Sequence, residues 1–442
     1  MGRAKVHRTS PAVAPASRSL LERPEIWSLF SGAMGLDLGL EGAGLAPTLA
    51  VEIDRWCCET IRLNRPDLVL LERDVRELKA KDLRESRGFD GDVFLIAGGP
   101  PCQSFSPGGN RAALSDPRGN LIYEFFRLVD EVRPLYFLFE NVANLLTAAL
   151  RHRPIAQRPG RHWNLNSYHA NRRLNDDSAP PMEDEELSGS AVRALLDDLE
   201  PLGYQLNFGV LDAADHGAPQ RRLRFVIVGA RESAPPALPR PSHGDPRAGL
   251  KPRATVRDAI GDLRADPGPH YKYTERYEQI FGLVPPGGNW RDLPPEIQAA
   301  AMGGSFEAGG GKTGFFRRLD WDAPAPTITG KPNRKGAALC HPEFLRPLSV
   351  KECARIQGFP EGWRLTGPLQ EQYRQIGNAV PVHLGEALGK EILVGPGRKE
   401  AQLPATWMLQ TAVQRLRSAA RNKGSNNHRQ LLLSCDPRVS TG

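Results

Sequence analysis

From Ile26 to Gly229, short apolar runs alternate with stretches of helical period, and this alternation restricts the fold more than any other feature. The runs are Ile26 to Phe30, Thr48 to Ile53, Leu68 to Leu71, Asp92 to Ala97 and Leu135 to Phe139. Each has the length of a strand, and each is apolar nearly throughout, as strands buried on both faces are. Arg55 to Asn64 and Asn120 to Val132 carry apolar residues at helical spacing. Residues 190–211 read as a further helix and strand, and Arg224 to Gly229 as one more strand. Strands alternating with helices predict an α/β fold, a parallel sheet with crossover helices on both faces.

Two segments interrupt the pattern. Residues 151–186 are rich in Arg, acids and Asn and nearly devoid of aliphatic side chains, so they read as a polar surface insertion. Residues 231–316 are rich in Pro, Gly and Arg, with only short apolar runs, which suggests a small irregular second domain; regular patterning returns over 317–395. The expected plan is therefore a flexible basic tail over 1–24, a main domain over 25–230, a second domain over 231–320, a return to the first over 321–395, and a basic extension over 396–442 with a helix-like run from Thr406 to Arg421.

The net charge of +7 arises at the ends. Residues 1–24 hold five Lys/Arg against one acid, and 396–442 hold eight against two, so the body is slightly acidic. The excess gives weak support for a polyanionic partner. No apolar run approaches the ~18 residues of a membrane span, and the N-terminus lacks the apolar core of a secretory signal. The six cysteines form no Cys-x-x-Cys pair. A cytoplasmic protein with free thiols, no metal site and no membrane contact is expected.

Chemistry gathers where the strands end. Phe30-Ser31-Gly32-Ala33-Met34-Gly35 follows the first strand and opens a helix, with glycines where a backbone must turn tightly against a ligand. The second strand ends in Glu52, twenty residues beyond Gly32, where an acid can hold two ribose hydroxyls. Asp74, before Val75, ends the third strand and could accept from an adenine amino group. This fits a nucleoside cofactor without separating a nicotinamide dinucleotide from S-adenosylmethionine.

The fourth strand runs directly into Gly98-Gly99-Pro100-Pro101-Cys102-Gln103-Ser104-Phe105-Ser106. Cys102 lies among small and cyclic residues at the sheet edge where α/β proteins bind ligands. The other cysteines lack such a setting: Cys57, Cys58 and Cys353 fall on predicted helices as packing residues. The fifth strand delivers Glu140-Asn141-Val142 to the same edge, and an acid after five apolar residues is placed for a raised pKa. In Gln220 to Arg224, alternation puts Gln220, Arg222 and Arg224 on one face and Arg221 and Leu223 on the other. A thiol, an acid and paired arginines beside a nucleoside cofactor suggest covalent attack on an electron-poor ring.

Through Gly-Pro-Pro-Cys-Gln-Ser-Phe-Ser the chain resembles the bacterial DNA (cytosine-5)-methyltransferases. The resemblance runs in order through Phe30-Ser31-Gly32, Glu52-Ile53-Asp54, Asp74-Val75, Pro101-Cys102, Arg118-Gly119-Asn120-Leu121, Glu140-Asn141-Val142, Gln220 to Arg224 and Gln375 to Pro381. It implies an S-adenosylmethionine-dependent, Rossmann-like methyltransferase domain, with a target-recognition domain over 231–320 organised by Arg317-Arg318-Leu319 and Pro324 to Thr329. Cys102 becomes the nucleophile for carbon 6 of a flipped cytosine, Glu140 the acid at ring nitrogen 3, and Arg222 and Arg224 the pair that steadies the site. The cofactor set becomes Phe30, Gly32, Gly35, Glu52, Ile53, Asp74, Val75, Pro101, Leu121 and Asn378, and the last of these requires 375–395 to fold back onto the first domain.

The implied partners are double-stranded DNA and a cognate restriction endonuclease, with a monomeric enzyme. Over 231–345 Lys/Arg exceed acids by 16 to 13, a modest excess suited to phosphates. Two other readings share the scaffold: a tRNA cytosine methyltransferase, against which Ser104-Phe105-Ser106 argues, and a catalytically silent DNA-binding regulator. The chain departs from the family pattern at Met34, usually glycine, and at Ala325, usually serine. The insertion and the tail have no counterpart in the minimal pattern. The target sequence is not legible, because base readout depends on which side chains reach a groove.

Overall fold

The computed structural model describes residues 24–101, 121–154, 157–159, 179–306, 314–396 and 405–422. Seven strands form one sheet: β1 Ile26–Leu29, β2 Leu49–Glu52, β3 Val69–Glu72, β4 Leu95–Gly98, β5 Tyr136–Val142, β6 Gln205–Asp212 and β7 Leu223–Ala230. Their order is β3-β2-β1-β4-β5-β7-β6. The chain works outward from β1 to β3 and then returns to place β4 on the other side of β1. The crevice between the carboxyl ends of β1 and β4 is therefore the switch point at which such sheets bind ligands.

The sheet is parallel as expected across β3-β2-β1-β4-β5, and one strand departs from that pattern. β7 lies antiparallel to both of its neighbours, β5 and β6. Between β6 and β7 the chain makes only a short 3-10 turn, Ala213–His216, and a brief loop, too little for a helical crossover of a dozen or more residues. The reversal brings the start of β7, and with it Arg222 and Arg224, to the carboxyl edge of the other strands. A parallel β7 would have put them at the opposite edge.

Helices α1 Gly35–Gly42, α2 Arg55–Asn64, α3 Ala80–Arg87, α4 Leu121–Val132 and α5 Ser190–Leu199 flank the sheet. Because successive strand side chains point to opposite faces, β5 serves two cores at once. Phe137 and Phe139 enter the cluster under α4 and α5, while Leu138 enters the cluster on the other face with Leu36, Leu40 and Val226. Phe125, Phe126, Phe137 and Phe139 meet mostly edge-on or tilted, as ring quadrupoles favour. Cys57, Cys58, Cys340 and Cys353 are free and buried, and burial pushes the Cys58 and Cys340 thiols up to about 12.

The second half of the chain contributes β8 His243–Gly244, β9 Lys251–Pro252, α6 Val256–Ile260, α7 Glu275–Leu283, α8 Pro295–Met302, β10 Arg317–Arg318, β11 Leu339–Cys340, α9 Val350–Ile356, α10 Leu369–Asn378, α11 Val382–Val394 and α12 Ala405–Asn422. The segment expected to form one unit over 231–320 does not pack as one. Val256, Ile260 and Leu263 join Met34, Ile61 and Tyr373 in a shared cluster. Phe281, Met302 and Phe316 form a separate small core that also takes Ala338 and Cys340 from beyond residue 320. At the described ends of the polar insertion, Arg153 donates to the carbonyls of Pro180 and Pro181 and pairs with Glu186.

α11 docks on α1 through small residues. A Cβ on Gly35 would lie 2.3 Å from the Val380 carbonyl oxygen, and one on Gly39 would lie 2.3 Å from that of Val382. From the other side, a Cβ on Gly385 would lie 2.7 Å from Leu36 O. This close crossing is what folds the end of the chain back onto its beginning, as the Asn378 assignment requires. In the extension over 396–442, α12 falls where the helix-like run from Thr406 to Arg421 is expected. Its Met408, Leu409, Ala412, Val413 and Leu416, spaced for one helical face, join the core beside β6, and Arg415 Nη1 donates to Val210 O at 3.1 Å.

Candidate active site

The turn after β1 is bent by backbone more than by side chains. Phe30, Gly32 and Met34 all have positive φ, at 58°, 55° and 67°. Only Gly32 adopts that region without steric cost, so Phe30 and Met34 hold strain that the surrounding packing must offset. Met34 is fully buried in the cluster with Ile61 and Tyr373, which accounts for a bulky residue where glycine would fit the backbone best.

Glu52 locks this turn to β2. Its Oε2 accepts from Gly32 N–H at 2.7 Å, and its Oε1 accepts from the N–H groups of Ile53 and Asp54 at 2.9 and 2.8 Å. Burial pushes its carboxyl above the usual carboxylate range in spite of these donors. Ile53, beside it, is 61% exposed, an apolar side chain left without cover. Phe30 and Leu121 are half-buried, and Pro101 and Asn378 are exposed.

Three of the expected cofactor residues stand differently. Asp74 is bound by Arg76, at 3.0 Å from Nε and 2.5 Å from Nη2, and also accepts from the Arg76 N–H. That arginine holds its carboxyl below the usual range. Any adenine amino group would have to share the carboxylate. Val75 turns its side chain into the core, so only its backbone faces the edge. Gly35 lacks a side chain because Val380 passes against it.

At the reactive end, Glu140 sits inside β5, opposite Val226, while Arg224 sits opposite Val142. The two are diagonal neighbours on one face, and Arg224 Nε lies 2.5 Å from Glu140 Oε1 with both side chains under a tenth exposed. Burial raises the Glu140 carboxyl pKa, and Arg224 and Arg222 oppose the shift without cancelling it. Gly99 makes room for this acid, because a Cβ there would lie 2.7 Å from Glu140 Oε2. Asn141 Nδ2 donates to Pro100 O at 3.2 Å and so ties β5 to the loop that leads to Cys102. Cys102 itself, with Arg118 to Asn120, lies outside the described residues.

Arg222 holds segments together through its two terminal nitrogens. Its Nη1 and Nη2 donate to Ile328 O and Gly377 O, each at 2.8 Å, across more than a hundred residues of sequence. The expected pair of site arginines thus divides into Arg224, which pairs with the acid, and Arg222, which fastens the site's walls. Beside it the buried Gln220 amide donates to Gln357 Oε1 at 2.8 Å and accepts from Ile328 N–H, and Gln357 donates to Ile376 O. The sequence reading did not single out Gly99, Asn141 or Gln357. Asn141 and Gly99 stand inside quoted motifs, whereas Gln357 carries no local signal.

The chain matches the family model for C-5 cytosine-specific DNA methylases over residues 25–154 and 185–394. The unmatched segments are the N-terminal 24 residues, the body of the polar insertion and the C-terminal extension. The chain is 38% identical over 374 residues to the Type II methyltransferase M.Eco47II of Escherichia coli, covering 83% of this chain and 78% of that one. It is 35% identical over 371 residues to the Type II methyltransferase M.Sau96I of Staphylococcus aureus, covering 83% and 75%. Among solved structures, a prophage-encoded E. coli protein described as a candidate DNA modification methyltransferase shares the fold, with a TM-score of 0.54, 23% identity, and 84% and 99% coverage.

Proposed function

Since this chain belongs to the C-5 cytosine-specific DNA methylase family, and is on that ground a DNA (cytosine-5)-methyltransferase, we propose how its residues divide the reaction. The observation that carries the assignment is the buried Glu140–Arg224 pair, set across Gly99 from the Pro100-Pro101 loop. Cys102, next in sequence after Pro101, adds through its sulfur to carbon 6 of a cytosine flipped out of double-stranded DNA. Glu140, held toward its protonated form by burial, donates to ring nitrogen 3 as that bond forms, so electron density reaches carbon 5 and not a full negative charge. Arg224 orients Glu140 and offers its remaining donors toward the ring carbonyl. After methylation, loss of the carbon 5 proton re-forms the ring double bond and expels the Cys102 thiolate.

S-adenosylmethionine, the cofactor the family implies, supplies the methyl group. The residues present fit it: a positive-φ glycine turn, an acid at the end of β2 and the uncovered Ile53 beside it suit a backbone approach, a ribose and an apolar ring in turn. Phe30, Gly32, Glu52, Ile53, Pro101, Leu121 and Asn378 would hold it, with Asp74 sharing its carboxylate and Val75 offering backbone. Gly35 contributes by letting α11 approach.

The family match and the relatives favour DNA over tRNA and over a silent regulator. The Type II names of the relatives support a place in a restriction–modification pair, with an endonuclease that cuts the same site. In this reading the protein is a cytoplasmic monomer, and residues 231–320 with 338–340 carry target recognition. No helix among the described residues is long and apolar enough to cross a membrane. Bisulfite sequencing of plasmid from cells expressing the protein tests the assignment. Protected cytosines in one short sequence context are expected, and full conversion with soluble protein present would overturn it.

A further inference from the structure

Asp54 stands in the Glu52-Ile53-Asp54 motif, yet no step of the proposed reaction uses it. Its Oδ1 caps α2, accepting from the N–H groups of Trp56 and Cys57 at 3.1 and 3.0 Å. Its own N–H donates to Glu52 Oε1 at 2.8 Å. The other oxygen, Oδ2, accepts from Arg374 Nη2 on α10 at 2.5 Å, across 320 residues of sequence. Arg374 is oriented in turn by Glu371 on its own helix, whose Oε2 accepts from Nε at 2.5 Å. A cap needs only one side-chain oxygen, which Asn supplies as well as Asp. The second oxygen therefore serves Arg374.

Asn378 ends α10 four residues beyond Arg374, so the two share a helix face one turn apart. The ion pair thus ties the segment that carries Glu52 and Ile53 to the helix face that ends at Asn378. Those are two of the walls between which the cofactor is proposed to lie. We infer that Arg374, acting through Asp54, is a positioning residue that sets the spacing of these walls for the cofactor. A ligand that touches both walls loses contact when one drifts, since a gap of 0.5–1 Å forfeits about a quarter to a half of a dispersion well.

The role is separable from holding the fold. The side chains of Arg374 and Asp54 are 39% and 25% exposed, and ion pairs so placed contribute little to stability. α2 is fastened to this part of the chain by other means: the buried Thr60 donates to Gln375 Oε1 at 2.7 Å, and Thr366 Oγ1 donates to Trp56 O at 2.9 Å. It is also separable from the chemistry. Glu140 and Arg224 hang from β5 and β7, and the far end of α10 is held independently, by Arg222 at Gly377 O and Gln357 at Ile376 O. Loss of the pair should therefore weaken cofactor binding and leave the transfer step intact once the cofactor is bound.

Because the assignment rests on the proposed cofactor reading, the test separates the two. The full-length protein is titrated calorimetrically with S-adenosylhomocysteine, and methyl transfer to plasmid DNA is followed against S-adenosylmethionine concentration. Arg374→Met should weaken binding and raise the KM for S-adenosylmethionine by about tenfold, the worth of one charged hydrogen bond, with kcat within about twofold of the wild type. Asp54→Asn, which keeps the cap and loses the charge, should do the same, and it carries the test if Arg374→Met melts early. The double variant should be no weaker than the worse single one, as for two halves of one interaction. Arg374→Lys should recover most of the affinity. A wild type that binds no S-adenosylhomocysteine would overturn the cofactor reading. A wild type that binds, with Asp54→Asn and Arg374→Met matching its affinity, losing kcat as much as affinity, or adding their losses in the double variant, would overturn the inference alone.

Discussion

Gly39→Ala tests whether the end of the chain is held to its beginning by backbone contact. The new methyl would lie 2.3 Å from Val382 O, 2.6 Å from Glu386 N and 2.7 Å from Gly385 C, all of them backbone atoms. Ordinary contact requires about 1 Å more, so α1 and α11 must separate by roughly that amount. The interface buries Leu36, Leu40, Leu384, Leu388 and Ile392 almost completely, worth about 2 kcal/mol each. A gap of 0.5–1 Å forfeits about a quarter to a half of a dispersion well. Since only part of each side chain faces the partner helix, the loss comes to about 3 kcal/mol. Alanine's better helix propensity returns about 1 kcal/mol, leaving a net cost of about 2 kcal/mol. Gly42→Ala is the control: it shares the helix, but its nearest neighbour would be the flexible Glu386 Cγ at 3.6 Å, so its stability should stay within about 0.5 kcal/mol of the wild type. Urea unfolding of the three proteins, followed by tryptophan fluorescence, measures the difference. If Gly39→Ala unfolds at the wild-type midpoint, or together with Gly42→Ala, the close crossing is not what holds α11.

Four further outcomes follow from the same geometry. The folded state keeps the Asp37 proton that the unfolded chain releases above pH 3.8, so stability should fall as pH rises from about 4 to about 7, by about 4 kcal/mol over this roughly 3-unit shift. Asp37→Asn should flatten that window in denaturant titrations at several pH values. Arg222→Met leaves the carbonyls of Ile328 and Gly377 without donors and should cost about 2–4 kcal/mol in the same assay. In methyl-transfer assays, activity should decline as pH rises through the raised Glu140 pKa, and Glu140→Gln should lower kcat by about a hundredfold or more and abolish that limb. Cys102→Ala should end transfer while retaining DNA binding in a gel-shift assay; an unchanged rate would rule out the covalent route.

Much of the framework was legible because it is local. The helix expected over Arg55 to Asn64 is α2 residue for residue, since Asp54 caps it and its apolar positions recur at helical spacing. The strand runs were found within a few residues because a strand buried on both faces must be apolar throughout. The cysteines read as packing residues are buried thiols, as their helical settings implied. The glycine turn follows β1 and Glu52 ends β2 as expected, because a turn or a terminal acid is set within a few residues of its own strand, whereas Glu140 lies inside a β5 that runs on to Val142.

What the sequence by itself determined, then, is the set of parts: strands, helices, the glycine turn, the acids at strand ends and the order of the motifs. Tertiary structure alone decided how distant parts meet. The reversal of β7 depends on a connection too short to cross over, and it carries Arg224 to Glu140. The commitment of Arg222 to Ile328 and Gly377, the Gln220–Gln357 pairing, and the packing need behind Gly35 all involve partners more than a hundred residues away. A glycine needed for a ligand and one needed for a crossing helix look alike in one dimension. So do an arginine that holds an acid and one that staples two loops. The distinction lies in which backbone passes within reach, and packing settles that only once the whole chain has collapsed.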